Sequence, residues 1–325
     1  MTPTAIDIYD ARRRLERHLQ PTPLLQSHWL SSIADGQVFL KIESLNLTSS
    51  FKIRGALNAA LRLIEGDGQP GVSPRELTVV TASAGNHGRA LALAAELLGM
   101  ACVVFTPAAA PEAKKNAIRR HGAVLHGECA DYDAAETQAR EYAAAEGGIY
   151  VSPYNHPDVI AGAGTIGLEI VERMPAFDVV VIPLGGGGLA SGMGLAIKAA
   201  APHVTVVGVE VEASSPFTLS LEAGRIVEIT PRQSLADGLT GNLEAGSITF
   251  PLVKQVVDYV VTVSEDDLAR AMKGLATEER LIVEGAGAAA TAAIMSGKAS
   301  APGQRVVAMV SGGNVDLPKW LFTIS

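Results

Sequence analysis

Cysteine is scarce in this chain, because its 325 residues include only Cys102 and Cys129. Two cysteines cannot build a disulfide framework or a four-cysteine metal site, and their scarcity fits a reducing cytoplasm. Ligand-like spacing occurs at His121, His126 and Cys129, but these residues straddle a predicted strand and have no partner that would complete an open site. The sequence therefore predicts neither a disulfide scaffold nor a bound metal.

Positive charge is also scarce. The 26 lysines and arginines are outnumbered by 34 acidic residues, and the net charge of -8 argues against a nucleic-acid partner. The first 14 residues contain acidic side chains and no apolar core of signal-peptide length, so export is not expected. Residues 179–197 carry no charge, but Pro183 and four consecutive glycines divide them into a strand, a loop and a helix, which excludes a membrane span.

Apolar residues, by contrast, are plentiful. Hydrophobic residues make up 48% of the chain and charged residues 18%, and the length suggests two lobes. From residue 77 onward, short apolar runs alternate with helical segments, a pattern typical of parallel sheets covered by helices on both faces. A glycine and proline cluster at residues 66–71 indicates a connection between domains. We therefore predict an α/β protein.

One lysine has an unusual neighbourhood. Lys52 lies in the segment Ser50-Phe51-Lys52-Ile53-Arg54-Gly55-Ala56, between an aromatic ring and an alanine-rich helical run. A lysine with the ordinary pKa of about 10.4 is a poor nucleophile at neutral pH, but burial favours the uncharged amine that Schiff-base chemistry requires. The alternative is a surface lysine in a first helical turn, and this segment alone favours that alternative.

Three strand-to-helix junctions bear on the choice, because ligands of parallel sheets bind at the carboxyl ends of the strands. The first, the asparagine loop, is Ser83-Ala84-Gly85-Asn86-His87-Gly88. Its small residues expose backbone N–H groups at a helix N-terminus, a seat for a carboxylate or a phosphate. Its asparagine amide can both donate and accept. An ordinary turn capped by asparagine is the alternative.

The second junction, the glycine loop, is Gly185-Gly186-Gly187-Gly188-Leu189. Four successive glycines between a buried strand and a helix indicate backbone that wraps closely around a phosphate. No Lys-Ser/Thr pair follows, which excludes a Walker loop. Gly185, Gly187 and Ala190 also fit the dinucleotide fingerprint, with Glu210 about twenty residues on, so that a nicotinamide oxidoreductase remains an alternative.

The third junction, the serine loop, is Ser311-Gly312-Gly313-Asn314 after the last predicted strand. We expect the Ser311 hydroxyl at the same edge of the sheet as the glycine loop, within reach of a ring nitrogen on a bound cofactor. A glycine turn with a capping serine is the alternative.

Together these four segments strongly resemble the fold-type II pyridoxal-phosphate enzymes, in the branch that contains serine/threonine dehydratases and serine racemase. The resemblance runs from about Thr22 to Asp316. It implies two open, twisted, mostly parallel sheets flanked by helices, similar to the tryptophan synthase β fold. It also implies a large cofactor-binding domain (1–68 plus 151–325), a smaller mobile domain (74–148), no carboxy-terminal regulatory extension, and a homodimer.

The resemblance also implies a role for each matched residue. Lys52 would form the internal aldimine with pyridoxal 5'-phosphate, Phe51 would pack beside the ring, and Asn86 would bond the 3-hydroxyl oxygen. Ser311 would meet the pyridine nitrogen. The cofactor phosphate would bind Gly185, Gly186, Gly187, Gly188 and Leu189, and the substrate carboxylate would bind Ser83, Ala84, Gly85, Asn86 and His87.

The implied reaction is α,β-elimination of a β-hydroxy-α-amino acid to a 2-oxo acid and ammonia. Threonine, serine, phenylserine and 3-hydroxyaspartate are the expected kinds of substrate. Serine racemases carry a serine at the position of Ala84, and alanine cannot act as a base, so racemisation should be weak. The alternatives are an amino-acid racemase, a hydroxyectoine-pathway dehydratase, and a binding module that retains the scaffold without catalysis.

Three further positions depart from the family pattern. Pro216 replaces an aspartate of the divalent-cation site that some relatives build with an acid matching Glu210 and a carbonyl near Ser214, so no metal is expected. Ala163 replaces glutamine and Gly285 replaces proline. Both changes should enlarge or loosen space near the substrate.

Overall fold

The computed structural model describes residues 2–66 and 73–325, and most of the predicted interdomain connection at 66–71 lies outside this range. Short apolar runs form ten strands among the described residues, and their bounds follow in chain order: β1 (Leu24–Ser27), β2 (Gln37–Ile42), β3 (Thr78–Ala82), β4 (Ala101–Pro107), β5 (Val124–Cys129), β6 (Ile149–Tyr150), β7 (Val179–Pro183), β8 (Thr205–Val211), β9 (Tyr259–Val263) and β10 (Arg305–Val310).

Helices occupy most of the intervals between the strands. Their bounds, again in chain order, are α1 (Ala5–Leu15), α2 (His28–Ala34), α3 (Lys52–Glu65), α4 (Asn86–Leu98), α5 (Glu112–Arg119), α6 (Tyr132–Glu146), α7 (Pro157–Arg173), α8 (Gly188–Ala200), α9 (Pro216–Ala223), α10 (Thr249–Val256), α11 (Glu265–Glu278), α12 (Gly285–Met295) and α13 (Leu317–Ile324). No described helix has the length and apolarity that crossing a membrane requires.

The strands form two sheets, which confirms the predicted fold class. A six-stranded sheet has the order β1-β2-β10-β7-β8-β9, and a four-stranded sheet has the order β5-β4-β3-β6. All neighbours are parallel except β1 and β2. The segment predicted as a smaller domain supplies β3, β4 and β5, and the four-stranded sheet is completed by β6. The independent movement of that domain stays a prediction.

Buried apolar side chains cover both faces of each sheet, as expected for parallel sheets. Helices α7 and α8 pack closely through glycine, because a Cβ on Gly192 would lie 2.2 Å from the Ile160 carbonyl oxygen. Strands β1, β6 and β9 are not evident from the sequence. The first two have four and two residues, too few for a periodic signal, and β9 lies at a sheet edge.

Candidate active site

The lysine segment lies directly against the serine loop. Thr48 and Ser49 adopt left-handed φ angles of 63° and 54°, which turn the chain before α3. Ser50 then forms an antiparallel bridge with Gly312, and the Phe51 N–H donates to the Ser311 carbonyl at 3.0 Å. Residues more than 250 positions apart in sequence therefore meet, as the proposed site requires.

Lys52 is the first residue of α3. The nearest partners of its amine are a backbone carbonyl and an aromatic ring, neither of which carries a negative charge. Its Nζ donates to the Pro153 carbonyl oxygen at 2.8 Å and lies 5.1 Å from the centroid of the Phe51 ring. Burial of the amine lowers the pKa of Lys52 from 10.5 to about 8, and attraction to Glu284 only partly opposes this shift. The residue as a whole keeps partial exposure.

The asparagine loop approaches Lys52 through the chain segment that follows β6. His87 Nε2 pairs with the Val151 carbonyl oxygen at 3.2 Å, while Lys52 Nζ pairs with the carbonyl of Pro153, two residues farther along. Burial, followed by repulsion from Lys52, lowers the pKa of His87 to about 3, so the imidazole is neutral. The N–H groups of the first turn of α4 lack helical partners and remain available to an anion.

A carboxylate that the sequence analysis missed also belongs to this site. Glu284, the residue before α12, accepts a 2.6 Å hydrogen bond from Asn86 Nδ2. Burial of the carboxyl group, then the nearby Asp237, raises the pKa of Glu284 to about 7. The only sequence signal was an isolated acid ahead of a helix of glycine and alanine, which by itself also describes an ordinary helix start.

The glycine loop connects β7 to the N-terminus of α8. Gly187 has a φ of 85°, in the left-handed region that favours glycine. A Cβ on Gly186 would lie 2.4 Å from the Tyr154 ring, and the Gly186 carbonyl accepts from Thr249 Oγ1 at 2.8 Å. The loop is therefore an ordered structure, and its α8 end presents free backbone N–H groups, which suit a phosphate.

Ser311 follows β10, which pairs in parallel with β7. The serine loop and the glycine loop therefore leave the same edge of the large sheet, as predicted. The Ser311 hydroxyl is buried, and its Oγ lies 3.3 Å from the Ala286 carbonyl oxygen.

Comparison with known proteins agrees with this geometry. A family model described as pyridoxal-phosphate dependent enzyme matches residues 15–312. The L-threonine ammonia-lyase of Thermotoga maritima is 40% identical over 314 residues, which cover 97% of this chain and 76% of that protein. The chain belongs to the pyridoxal-phosphate-dependent enzymes.

Solved structures of this family share the whole fold. The T.th. threonine deaminase has a TM-score of 0.87 and 37% identity, covering 97% of this chain and 99% of that one. Maize serine racemase has a TM-score of 0.89 and 30% identity, covering 100% and 99%. These relatives are fold-type II enzymes, so the resemblance inferred from the motifs is confirmed and the nicotinamide alternative is wrong.

The residues present fit pyridoxal phosphate. Lys52 is a lysine whose amine loses its proton more readily than usual, and the glycine loop has no side chains before Leu189. A hydroxyl group, Ser311, ends the strand beside that loop. An amine, a glycine loop and a hydroxyl group, which are the kinds of group that could hold this cofactor, therefore lie at one end of the large sheet.

Glu210, the acid weighed for a ribose or a cation, is engaged elsewhere. Its carboxylate accepts from the Phe217 N–H at 2.7 Å, the Thr218 N–H at 2.8 Å and Thr218 Oγ1 at 2.6 Å. It thus occupies the N-terminus of α9, which Pro216 begins. In residues 2–66 and 73–325, no group of three or more His, Cys, Asp or Glu side chains could hold a metal ion.

The suggestion that Gly285 enlarges space is wrong. A Cβ on Gly285 would lie 2.3 Å from the Leu235 carbonyl oxygen, so neighbouring backbone fills the volume that a side chain would take. Ala163 lies on α7, and its side chain is part of the buried apolar core. Neither position indicates an unusually large substrate.

Proposed function

We propose that this enzyme is an ammonia-lyase that converts a β-hydroxy-α-amino acid, with L-threonine as its main substrate, to a 2-oxo acid and ammonia. The observation that carries the proposal is Lys52, whose amine has a lowered pKa and donates to the Pro153 carbonyl, next to the Tyr154 ring that packs on the glycine loop. The T. maritima relative, named for L-threonine, supports this choice of substrate.

The proposed roles of the chain's residues follow from their positions. Lys52 would hold the cofactor, the backbone of the glycine loop would bind its phosphate, Asn86 would bond its 3-oxygen, and Ser311 would meet its ring nitrogen, with Phe51 packed beside it. When bound, pyridoxal phosphate supplies the electron-withdrawing system that makes the substrate's α-proton removable. A neutral serine does not force the ring nitrogen to carry a proton, which favours rapid loss of a β-substituent.

The substrate would be oriented by the asparagine loop. The asparagine loop leads into the N-terminus of α4, so that the substrate carboxylate would bind at a positive helix end. The Ser83 N–H donates to the Phe105 carbonyl at 3.0 Å and the Gly85 N–H to Ser83 Oγ at 3.2 Å, so the N–H groups of Ala84, Asn86 and His87 would make the contact. The Lys52 amine then accepts the α-proton. The Cβ–O bond would break and the hydroxyl group would leave as water, with the proton taken from Cα balancing the one that the hydroxyl gains. The resulting enamine would rearrange to an imine, whose hydrolysis consumes one water and releases ammonia.

The side chain of Ala84 affects whether racemisation can compete with elimination at the α-carbon. A racemase needs a second base on the opposite face, and a methyl group cannot accept a proton. We therefore propose elimination as the main reaction and racemisation as a minor one.

We further propose that residues 74–148 act as the smaller, mobile domain over the larger domain of 1–68 plus 151–325. Contacts between the two include Lys114 with Asp237 at 2.6 Å and Arg140 with Glu244 at 3.2 Å. Both lysine and arginine are partly solvated, and such ion pairs contribute roughly 0 to 1 kcal/mol. Breaking these two ion pairs would therefore cost little, whereas α3 and α4 share a buried apolar core across the same boundary, which a movement of the smaller domain would have to accommodate.

A substrate panel tests the proposal. Purified protein loaded with pyridoxal phosphate would be given L-threonine, L-serine, phenylserine, 3-hydroxyaspartate and their stereoisomers, with 2-oxo acid and ammonia measured together. We expect L-threonine to react best and Lys52→Ala to reduce turnover by roughly a thousandfold. Release of ammonia from none of the panel would contradict the proposal.

A further inference from the structure

Asn86 belongs to a row of three side-chain hydrogen bonds, in which each residue donates to the next. Arg89 Nη1 donates to Asn314 Oδ1 at 2.5 Å, and Asn314 Nδ2 donates to Asn86 Oδ1 at 2.7 Å. Asn86 Nδ2 then donates to Glu284 Oε1 at 2.6 Å. The row begins at a cation, ends at a carboxyl group, and joins the asparagine loop, the serine loop and α12.

The direction of this row follows from chemistry. An asparagine amide can exchange its oxygen and nitrogen by a half-turn, so its orientation must be deduced from its partners. Asn314 Nδ2 also lies 2.7 Å from the Thr48 carbonyl oxygen, which can only accept, and its other end meets a guanidinium, which can only donate. These two partners permit one orientation of the Asn314 amide.

The orientation of the Asn314 amide also determines the orientation of the Asn86 amide. Because Asn314 presents an N–H, the facing atom of Asn86 must be its oxygen, and its nitrogen must face Glu284. One N–H of that nitrogen is used by Glu284, so the other is what Asn86 can still offer to a ligand. A ligand atom bound there must be a hydrogen-bond acceptor, such as an oxygen.

We propose that Asn314 is a positioning residue that keeps Asn86 oriented as a hydrogen-bond donor to the cofactor, with Arg89 holding Asn314 and Glu284 holding the second N–H. The inference rests on the proposed role of Asn86 in cofactor binding. It gives the last residue of the serine loop a role separate from the hydroxyl of Ser311.

Asn314→Asp is the sharpest test because it preserves shape and replaces the donating nitrogen with oxygen. The bonds to Thr48 and Asn86 are lost, and the new oxygen faces Asn86 Oδ1, which disfavours the present orientation of Asn86. We expect the dissociation constant for pyridoxal phosphate, measured by equilibrium dialysis of the apoprotein, to rise about tenfold or more. We also expect the visible spectrum of bound cofactor to change.

A double-mutant cycle separates this role from a purely structural one. If Asn314 acts through Asn86, adding Asn314→Asp to Asn86→Ala should change the dissociation constant by less than about twofold. Losses that multiply, or an Asn314→Asp variant that binds cofactor within about twofold of the unaltered chain, would overturn the proposal.

A matched pair of variants serves if Asn314→Asp does not fold, as judged by circular dichroism. Arg89→Lys keeps a donor for Asn314 Oδ1, and Arg89→Leu removes it. We expect Arg89→Leu to weaken cofactor binding by about threefold or more and Arg89→Lys to weaken it less; equal effects would contradict the proposal. Because these assays measure cofactor binding without substrate, the proposed lyase activity can fail while this inference stands, and the reverse.

Discussion

Lys41 and Lys52 have opposite surroundings, although burial of the amine acts on the pKa of both. Lys41 Nζ lies 2.5 Å from Glu169 Oε2 and 2.9 Å from the Thr22 carbonyl oxygen, so its ammonium is paired. Within the described part of the chain, Lys52 has no carboxylate at ion-pairing distance, and its Nζ donates to the Pro153 carbonyl. Burial without a close counter-ion favours the neutral amine. Burial alone therefore does not distinguish these two lysines. The difference is that a carboxylate pairs with Lys41, whereas a neutral carbonyl oxygen accepts from Lys52.

The lowered pKa of Lys52 predicts how cofactor capture depends on pH. Below about 8 the amine is protonated and cannot attack the cofactor aldehyde, whereas above that pH it is neutral. The rate of cofactor uptake by apoprotein, followed by visible absorbance, should therefore increase with pH and reach half of its maximum near pH 8. A midpoint at the ordinary value of 10.5 would show that the lysine is solvated.

Ala84 gives a second prediction at this scale. Ala84→Ser would add a hydroxyl where racemase relatives carry one, and the ratio of racemisation to elimination should rise about tenfold or more. Chiral chromatography of L-serine reactions, alongside 2-oxo acid formation, measures both rates. Ala84→Gly is the control, since it changes the side chain without adding a base. An unchanged ratio in Ala84→Ser would mean that the opposite face lacks more than this hydroxyl.

The junctions after β3, β7 and β10 contain most of the proposed site, and each was visible in the sequence because its signal is local. Glycine runs and a lysine beside an aromatic ring occupy a few consecutive positions. The contacts that organise them are not local: Asn86 meets Glu284 across 198 positions and Asn314 across 228. Pair contacts at such separations depend on the completed fold. Gly285 shows that a local signal can also mislead. Its missing side chain suggested open space, but the backbone of Leu235 fills that volume.

The geometry of the glycine loop predicts that Gly187→Ala weakens cofactor binding. Its φ of 85° is unfavourable for alanine by roughly 1 to 2 kcal/mol, and the new Cβ would lie 2.6 Å from the Phe217 ring. We expect the dissociation constant for pyridoxal phosphate to rise about tenfold.

Gly127→Ala is the matched control for this substitution. It lies in β5, and its Cβ would come no closer than 3.5 Å to the Lys115 side chain. If both variants bind cofactor like the unaltered chain, the shape of the glycine loop is not what holds the phosphate.

At the scale of the whole molecule, a buried cluster of four charges joins the large sheet to two helices. Arg54 of α3 donates to Glu43 at 2.8 and 2.9 Å and to Glu169 of α7 at 2.7 and 3.0 Å. Lys41 of β2 completes the cluster, whose four side chains are almost fully buried. Two positive and two negative charges balance, so removing one leaves an unpaired charge in the interior. The cluster anchors α3, which begins with Lys52.

Glu169→Gln should therefore lower the free energy of unfolding by about 3 to 5 kcal/mol, measured by urea denaturation of the apoprotein. Glu172→Gln is a control on the same helix, because Glu172 pairs with Arg12 at 3.1 Å but is half exposed. Its loss should cost about 1 kcal/mol or less. Equal losses in the two variants would show that burial does not strengthen the cluster.

Assembly as a homodimer, which the family resemblance implies, stays a prediction.

Chemical trapping would show whether Lys52 holds the cofactor of this enzyme, as we propose. Protein loaded with pyridoxal phosphate would be reduced with borohydride, digested, and analysed by mass spectrometry. We expect one cofactor-modified peptide, which contains Lys52 and is absent from Lys52→Ala. Modification of a different lysine, or recovery of the Lys52 peptide unmodified from protein that has bound cofactor, would contradict it.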